Sequence, residues 1–439
     1  MTRLRRSAAA ALIGAAAVAL CAATGMAQEQ LAIDGTLPGY LALAERASPA
    51  LASAVARHEG ALAKELRAGG LPDPVVSYGH YFEEVETRVG PQVNRLGVRQ
   101  MLPWFGKLSL AEDAARERAA AAAEMVRATR LDVAVSVTRA FADYAYHARA
   151  LEITEERLTL LRSLDDVVRS EYSSGGATYG DVMKAQVGLA RIQDSYESLI
   201  SATPAVSARL AASVGLAGAD PLPLPEWIPD PPVRMPLPED QAFEAHNPDL
   251  LALGHEVEAA RYESELAGRS YFPDLTVGLD YIETGEALMP VEDSGKDPLI
   301  GVASLSVPLW FGKHKGEVDG ARAALTAAER MKEQRTLELG ADLSMAKYRL
   351  EDELRRVALY VDRIVPAAEQ SIAASDASYR AGKVDFDALI SAHEMALESE
   401  LSLARARADA LVAASRLARL MGDDEWGRGF TTEGTRGDE

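Results

Sequence analysis

Residues 103–107 read Pro-Trp-Phe-Gly-Lys, and residues 308–313 read Pro-Leu-Trp-Phe-Gly-Lys. Each junction follows a pair of short alternating segments and precedes a long stretch rich in Ala and Glu. Two matches in the same order indicate that the chain contains two structural repeats. A second similarity runs without gaps at an offset of 207 residues and matches Tyr172 with Tyr379, Gly175 with Gly382, Tyr179 with Phe386, and Ala185 with Ala392.

The first repeat predicts a very long helix. Residues 107–174 contain neither glycine nor proline and are rich in Ala, Glu, Arg and Leu, which favours helix. A continuous helix of this length would extend roughly 100 Å. The glycines at 175–176 then end it, and a second helix is expected to return from Thr178 or Asp181 to about Gly215. The sequence therefore predicts an antiparallel helical hairpin.

The second repeat predicts the same hairpin. Its long helix is expected from about Gly320 to Arg380, bent at Pro366, and its return helix from Phe386 to Met421. A shorter helix is expected to open each repeat, over Tyr40 to Ala68 and over Asp240 to Gly268.

Alternating apolar and polar residues predict four strands. In the third, Leu275, Val277 and Leu279 alternate with Thr276 and Asp280. Apolar residues on one face and charged residues on the other fit a membrane β-barrel with a wet interior. Because single-chain barrels start at about eight strands, several copies would have to share one barrel. The predicted strands are Pro74 to Phe82, Arg95 to Leu102, Pro273 to Thr284 and Ile300 to Val307.

The chain begins with the pattern of a secretory signal peptide. Three arginines precede an apolar run, and Gly25-Met26-Ala27 suggests cleavage after Ala27. The only cysteine, Cys21, lies inside this segment, and its lipidation is left open. The expected domains are the signal peptide at 1–27, a first repeat at 28–216, a Pro-rich linker at 217–238, a second repeat at 239–422 and a polar tail at 423–439.

The net charge and the absence of known sequence motifs argue against several classes of function. The formal net charge is -20, and loss of the signal peptide would remove three arginines and no acidic residue, so the surface disfavours nucleic acid. The 7 histidines and 11 methionines are scattered without the spacing of metal ligands. The motifs of a nucleophile elbow, a phosphate loop and a dinucleotide fold do not occur. The sequence predicts neither an enzyme nor a cofactor or metal site.

Over residues 38–422 the repeats, strand pairs and Tyr-x-x-Gly turns resemble the outer-membrane efflux family named for TolC. This resemblance implies a homotrimer in the cell outer membrane. Its twelve strands would form one β-barrel, and its long helices a hollow α-barrel through the periplasm. It implies as partners a periplasmic adaptor (membrane fusion) protein and an inner-membrane pump of the proton-driven type. The implied function is a passive exit duct, with heavy-metal cations among the candidate cargoes.

The predicted fold class is therefore mainly α with four β-strands, arranged as long antiparallel helical hairpins in two repeats. The rival prediction is a soluble periplasmic coiled-coil scaffold whose strands pack against its helices. The polar loops 83–94 and 286–298 are expected to face the cell exterior if the chain is a duct.

The resemblance places the helix-turn tips at the periplasmic mouth. The family often carries an acid six residues after the second glycine, where this chain has Ala388. A ring of acids would select cations, whereas the alternative is that these acids only begin the return helices. The tip residues are Tyr172, Gly175, Asp181, Tyr379 and Gly382, with Asp385 and Asp387 as further ring candidates.

The strand-to-helix junctions are the second candidate site. Their tryptophans are expected either at the inner membrane interface or packed at the bend. Their glycines are expected to make tight turns. The residues are Trp104, Gly106 and Lys107 in the first repeat, and Trp310, Gly312 and Lys313 in the second.

Overall fold

The structure is a computed structural model that describes residues 35–217, 222–230 and 243–426. The predicted signal peptide with Cys21, parts of the linker and the end of the tail lie outside the described residues. The helices described are α1 Leu37–Ala47, α2 Pro49–Ala68, α3 Lys107–Ser174, α4 Tyr179–Ser213, α5 Pro248–Gly268, α6 Phe311–Leu359, α7 Val365–Arg380 and α8 Phe386–Met421. The strands are β1 Val75–Thr87, β2 Gly90–Leu102, β3 Leu275–Thr284 and β4 Leu299–Leu305.

The long helix of the first repeat has the predicted bounds. Helix α3 runs for 68 residues between two left-handed glycines, Gly106 with φ 83° and Gly175 with φ 79°. Only glycine adopts this backbone conformation without steric cost, so both ends are encoded locally. Helix α4 returns antiparallel to α3 and continues through Pro204. The predicted hairpin is confirmed.

The long helix of the second repeat begins earlier than expected. Helix α6 starts at Phe311, not near Gly320, because isolated glycines in an otherwise helical stretch are tolerated. A π-helical turn, Tyr360–Ile364, ends two residues before Pro366 and separates α6 from α7. Because proline cannot donate the usual backbone hydrogen bond, the helix is irregular just before this residue.

The short helices differ from their predicted bounds. The single helix expected over residues 40–68 is two helices, because Pro49 holds Ser48 in an extended conformation. The Ser48 hydroxyl accepts a hydrogen bond from the Leu51 N–H and so begins α2. The helix expected from Asp240 begins only at Pro248, where Asn247 accepts the first N–H groups.

The four strands form one antiparallel sheet in the order β1-β2-β3-β4. The central pairing of β2 with β3 joins the two repeats. The first hairpin is longer than expected, since β1 and β2 extend through most of the predicted loop and leave a turn at Arg88 and Val89. The predicted second loop is confirmed as a connection without strands, between β3 and β4.

The two faces of the sheet differ in chemistry. Register places Val76, Val98 and Leu279 in one row across three strands, and these side chains are 66%, 46% and 56% exposed. We call this side the apolar face. The neighbouring row, Ser77, Gly97 and Asp280, lies on the opposite side, which we call the polar face. The alternation predicted from the sequence is therefore present, with the apolar side chains exposed in the single chain.

The main core lies near the middle of the long helices, where both repeats meet. The first residues of the predicted tail belong to it, since the Trp426 side chain is only 5% exposed. Smaller buried clusters continue along the hairpins toward their turns. The largest side chains of the main core that are almost fully buried are Leu37, Tyr40, Phe141, Tyr144, Leu210, Leu339, Leu343, Leu411 and Leu417.

Candidate functional site

The first tip is the turn between α3 and α4. The Gly176 N–H donates to the Glu171 carbonyl at 2.8 Å and closes α3. Thr178 and Asp181 form a reciprocal capping box, in which the Thr178 N–H and hydroxyl donate to Asp181 Oδ2 at 2.9 and 2.7 Å. The hydrogen bond from the Thr178 hydroxyl is the main reason that the pKa of Asp181 lies below its usual value. Asp181 thus caps the first turn of the return helix.

The second tip repeats this turn without the capping box. Gly382 has φ 66°, and α8 begins after Asp385, whose side chain makes no capping hydrogen bond. Asp385 and Asp387 are both exposed. The Asp387 carboxylate lies 3.4 Å from the Lys184 ammonium group of α4. These two acids are therefore available for a role other than capping.

A hydrogen bond joins the two tips. The Tyr379 hydroxyl of α7 donates to Glu171 Oε2 of α3 at 2.7 Å. Burial, followed by this hydrogen bond, raises the pKa of Tyr379, so the phenol stays protonated and can donate. The Tyr379 ring also contacts Phe386, a fully buried side chain, with 5.5 Å between ring centroids. Sequence reasoning found Tyr379 but missed Glu171, because a partner 208 residues away leaves no local signal.

A buried histidine lies close behind the tips. His393 of α8 is 7% exposed, and its Nδ1 atom is buried without a hydrogen-bond partner. Burial is the largest cause that lowers its pKa; the Arg157 charge acts in the same direction, and Asp376 opposes them. The charged side chains around it are Arg157 from α3, Arg191 from α4, Asp376 from α7 and Glu394 from α8.

Acid should weaken the packing around His393. Its pKa in the folded chain lies below the ordinary 6.5, so the full stability contribution is present above that pH and is lost as pH falls below it. One such site contributes at most about 1.4 kcal/mol per pH unit. We expect the thermal unfolding midpoint to decrease as the pH is lowered from about 7.5 to 5.5. The decrease should be smaller in H393Q.

Glutamine is the matched replacement because Gln186 occupies the equivalent position of the first repeat. His147, whose pKa burial also lowers, accounts for part of the remaining dependence. An equally steep loss of stability in H393Q and in the original protein would contradict the prediction.

The first junction is held by a residue of the other repeat. Asp274 Oδ1 accepts hydrogen bonds from Lys107 Nζ at 2.7 Å and from the Trp104 N–H at 2.9 Å. Burial opposes the charged form of Asp274, but the Lys107 and Trp104 hydrogen bonds leave its pKa below the usual value. The Trp104 ring stacks on Phe272 with 5.9 Å between centroids. Trp104 thus packs at the bend, and Asp274 was not identified from the sequence.

The second junction is open. Trp310 and Phe311 are 76% and 67% exposed, and they lie beyond the edge strand β4. Gly312 lies in the first turn of α6 and not in the left-handed conformation, so the tight turn expected there is wrong, whereas the one at Gly106 is confirmed. The physical reason is that the helix of the second junction already begins at Phe311, one residue before this glycine. Lys313 is also exposed.

Two further features of the described residues bear on function. None of their helices carries an apolar run sufficient to span a bilayer. Within the same part of the chain, His, Cys, Asp and Glu side chains are not grouped in sets of three that could hold a metal ion.

Residues 40–216 and 241–423 match the family described as outer membrane efflux protein. The chain belongs to the outer membrane efflux protein family. The resemblance recognised from the junctions and turns is therefore confirmed. Fusaric acid resistance protein FusA of Burkholderia cepacia is 26% identical over 234 residues, which are 50% of this chain and 44% of that relative. The match thus spans less than half of that relative.

Solved structures of membrane proteins share the fold of this chain. VceC of Vibrio cholerae gives a TM-score of 0.73 at 20% identity and covers 88% of this chain and 96% of that one. A membrane protein from Pseudomonas aeruginosa gives 0.76 at 17% identity, with 88% and 93% covered. CusC gives 0.77 at 15% identity, with 89% and 92% covered. The predicted fold class, mainly α with four strands and two helical hairpins, is confirmed.

Proposed function

We propose that the protein is the outer-membrane exit duct of a tripartite efflux system. The observation that carries this proposal is a sheet of four strands whose edges, β1 and β4, have no further partner strand in the described parts of the chain. In lipid, an unpaired edge leaves backbone N–H and C=O groups without hydrogen bonds, so a sheet that spans a membrane must close. Three copies that pair β4 of one with β1 of the next would close a barrel of twelve strands.

The apolar face supports a position in the outer membrane. Its central side chains, such as Tyr78 and Leu279, are 68% and 56% exposed in the single chain. Contact of so many apolar side chains with water would be unfavourable, whereas their contact with lipid is favourable. The exposed Trp310 suits the inner membrane interface, where indole rings are common. Trp104 is not proposed there, because it packs on Phe272.

The helical hairpins support a periplasmic conduit. Helix α3 alone extends roughly 100 Å, far more than a compact domain needs. In the trimer, the hairpins would form an α-barrel whose tips meet an adaptor protein, while a proton-driven inner-membrane pump supplies the energy. The exposed Asp385 and Asp387 could then form an acidic ring at the mouth.

Two cargo classes enter this proposal. The junctions and the Asp-Ser-Gly-Lys-Asp-Pro loop at 293–298 resemble those of family members that export heavy-metal cations. The name of the relative FusA, in contrast, concerns resistance to an organic acid. The sign of the charges that face the conduit determines whether cations or anions pass more readily.

A lysine placed on either face of β3 tests the duct. Leu279→Lys would put a charge on the apolar face and should cost about 2–4 kcal/mol near the bilayer centre. We expect it to abolish recovery of trimers from the outer membrane and pore current in planar bilayers. Thr276→Lys, on the polar face of the same strand, should keep both.

The rival scaffold predicts a different result. A soluble periplasmic scaffold would be released by osmotic shock without detergent, would pass no current and would tolerate lysine on either face. Equal recovery of both variants as soluble monomers would overturn the exit-duct proposal.

A further inference from the structure

The polar face carries a cluster of three charged side chains. Arg95 and Arg99 of β2 both form ion pairs with Asp280 of β3. The Asp280 side chain is 1% exposed, while those of Arg95 and Arg99 are 43% and 42% exposed. The carboxylate is therefore enclosed, and the two cationic groups face the open space in front of the sheet.

Glycines make room for this cluster. Gly97 lies directly opposite Asp280, and a Cβ atom there would meet the Asp280 carboxylate and would lie 2.7 Å from Ser77 Oγ. A Cβ atom on Gly278 would lie 2.8 Å from Arg99 Cγ and 2.7 Å from the Val98 carbonyl oxygen. Each glycine therefore leaves the space that a charged side chain of the next strand occupies.

The cluster retains binding capacity. Two guanidinium groups share one carboxylate, so most of their N–H donors are not used by Asp280. Arg99 Nε is buried and has no hydrogen-bond partner. A planar anion such as a carboxylate fits the donor geometry of a guanidinium group.

Around this cluster, the local net charge of the polar face comes from these three residues. Across residues 75–81, 95–101, 276–282 and 300–304, all of which are described, this face carries Arg95, Arg99 and Asp280 as its only charged side chains. Each copy thus contributes +1, although the whole chain carries -20. The sign of this local charge is opposite to that of the protein.

We propose that Arg95 and Arg99 form an anion-binding station on the conduit wall at the membrane level, which favours the exit of organic anions with carboxylate groups. The inference rests on the proposed duct, in which the polar face lines the conduit. Three copies would place six arginines and three aspartates in one ring. Fixed charge of one sign concentrates mobile ions of the other sign and assists their passage.

The test measures ion selectivity of the purified full-length channel in planar bilayers, under gradients of potassium chloride and potassium benzoate. R99Q removes the net charge of the cluster but leaves the Arg95–Asp280 pair. We expect the ratio of potassium to benzoate permeability to rise roughly twofold or more. D280N raises the net charge and should shift the ratio in the opposite direction.

R95Q/D280N is the matched control, because it removes one charge of each sign and leaves the net charge at +1. It should retain the original selectivity. This result would show that the changes in R99Q and D280N arise from net charge and not from structural disturbance. If R99Q and D280N still pass current but neither changes the selectivity, the anion-binding station is overturned. The current would still support the duct. A protein that passes no current and runs as a monomer would instead overturn the duct itself.

Discussion

Gly422→Ala is expected to lower the free energy of unfolding by about 2–5 kcal/mol. Gly422 ends α8 with φ 68°, where an alanine side chain costs roughly 1–2 kcal/mol. The added Cβ atom would also lie 2.9 Å from the carbonyl carbon of His246, and overpacking against backbone adds roughly 1–3 kcal/mol. The thermal unfolding midpoint of the purified protein in detergent measures the loss.

Gly382→Ala is the matched control. Gly382 has a similar φ of 66°, but the space around it is open to 4 Å. Only the conformational cost applies there, so this variant should lose roughly 1–2 kcal/mol. A Gly422→Ala protein at least as stable as Gly382→Ala would show that the contact with His246 has no energetic weight.

The same close approach occurs in the first repeat. Gly215, which is equivalent to Gly422 at the offset of 207, has φ 85°, and a Cβ atom there would lie 2.9 Å from the carbonyl carbon of Ala47. In both repeats, the end of the return helix therefore lies against the segment before a Pro-started short helix. Gly215→Ala is expected to resemble Gly422→Ala.

In the proposed duct, Tyr379→Phe is expected to open the periplasmic mouth. The change removes the hydroxyl that donates to Glu171 but keeps the ring that packs on Phe386. A hydrogen bond to a charged acceptor contributes about 1.5–3 kcal/mol, so its loss should shift the ratio of open to closed channels roughly tenfold or more. The measurement is the open probability and mean conductance of single channels in planar bilayers.

Tyr172→Phe is the internal control for this experiment. Tyr172 holds the equivalent position in the first tip, and it is 48% exposed with its ring against Tyr179 of the same hairpin. Loss of its hydroxyl should leave the channel unchanged. Equal conductance of the Tyr379→Phe variant and the original protein would show that the bond to Glu171 does not hold the tips together.

Local signals explain what was predicted correctly from the sequence. The bounds of α3 follow from two glycines that flank a stretch without glycine or proline, and the turns at Gly175 and Gly382 follow from the left-handed backbone that each supplies. The alternation in β3 correctly separated Leu279 from Asp280. Each of these properties depends on neighbours within a few residues.

Long-range packing explains what was missed. The polar segment from Glu83 to Asn94 was predicted as a loop, but pairing of β1 with β2 extends the strands through it. Glu171 belongs to the site only because it accepts a hydrogen bond from a tyrosine in the other repeat. The pairing of Arg95 and Arg99 with Asp280 likewise depends on how β2 and β3 align.

The sequence by itself determined the two repeats, the helical hairpins and the family, because these depend on periodicity, composition and glycine positions that any single chain displays. Only the tertiary structure decided how the two similar junctions differ. The first follows β2, an interior strand, so Asp274 and Phe272 beside β3 cover Trp104. The second follows β4, an edge strand that pairs only with β3 among the described residues, so Trp310 stays exposed. Strand order, which no local pattern encodes, therefore placed one junction tryptophan in a half-buried stacking contact and left the other exposed.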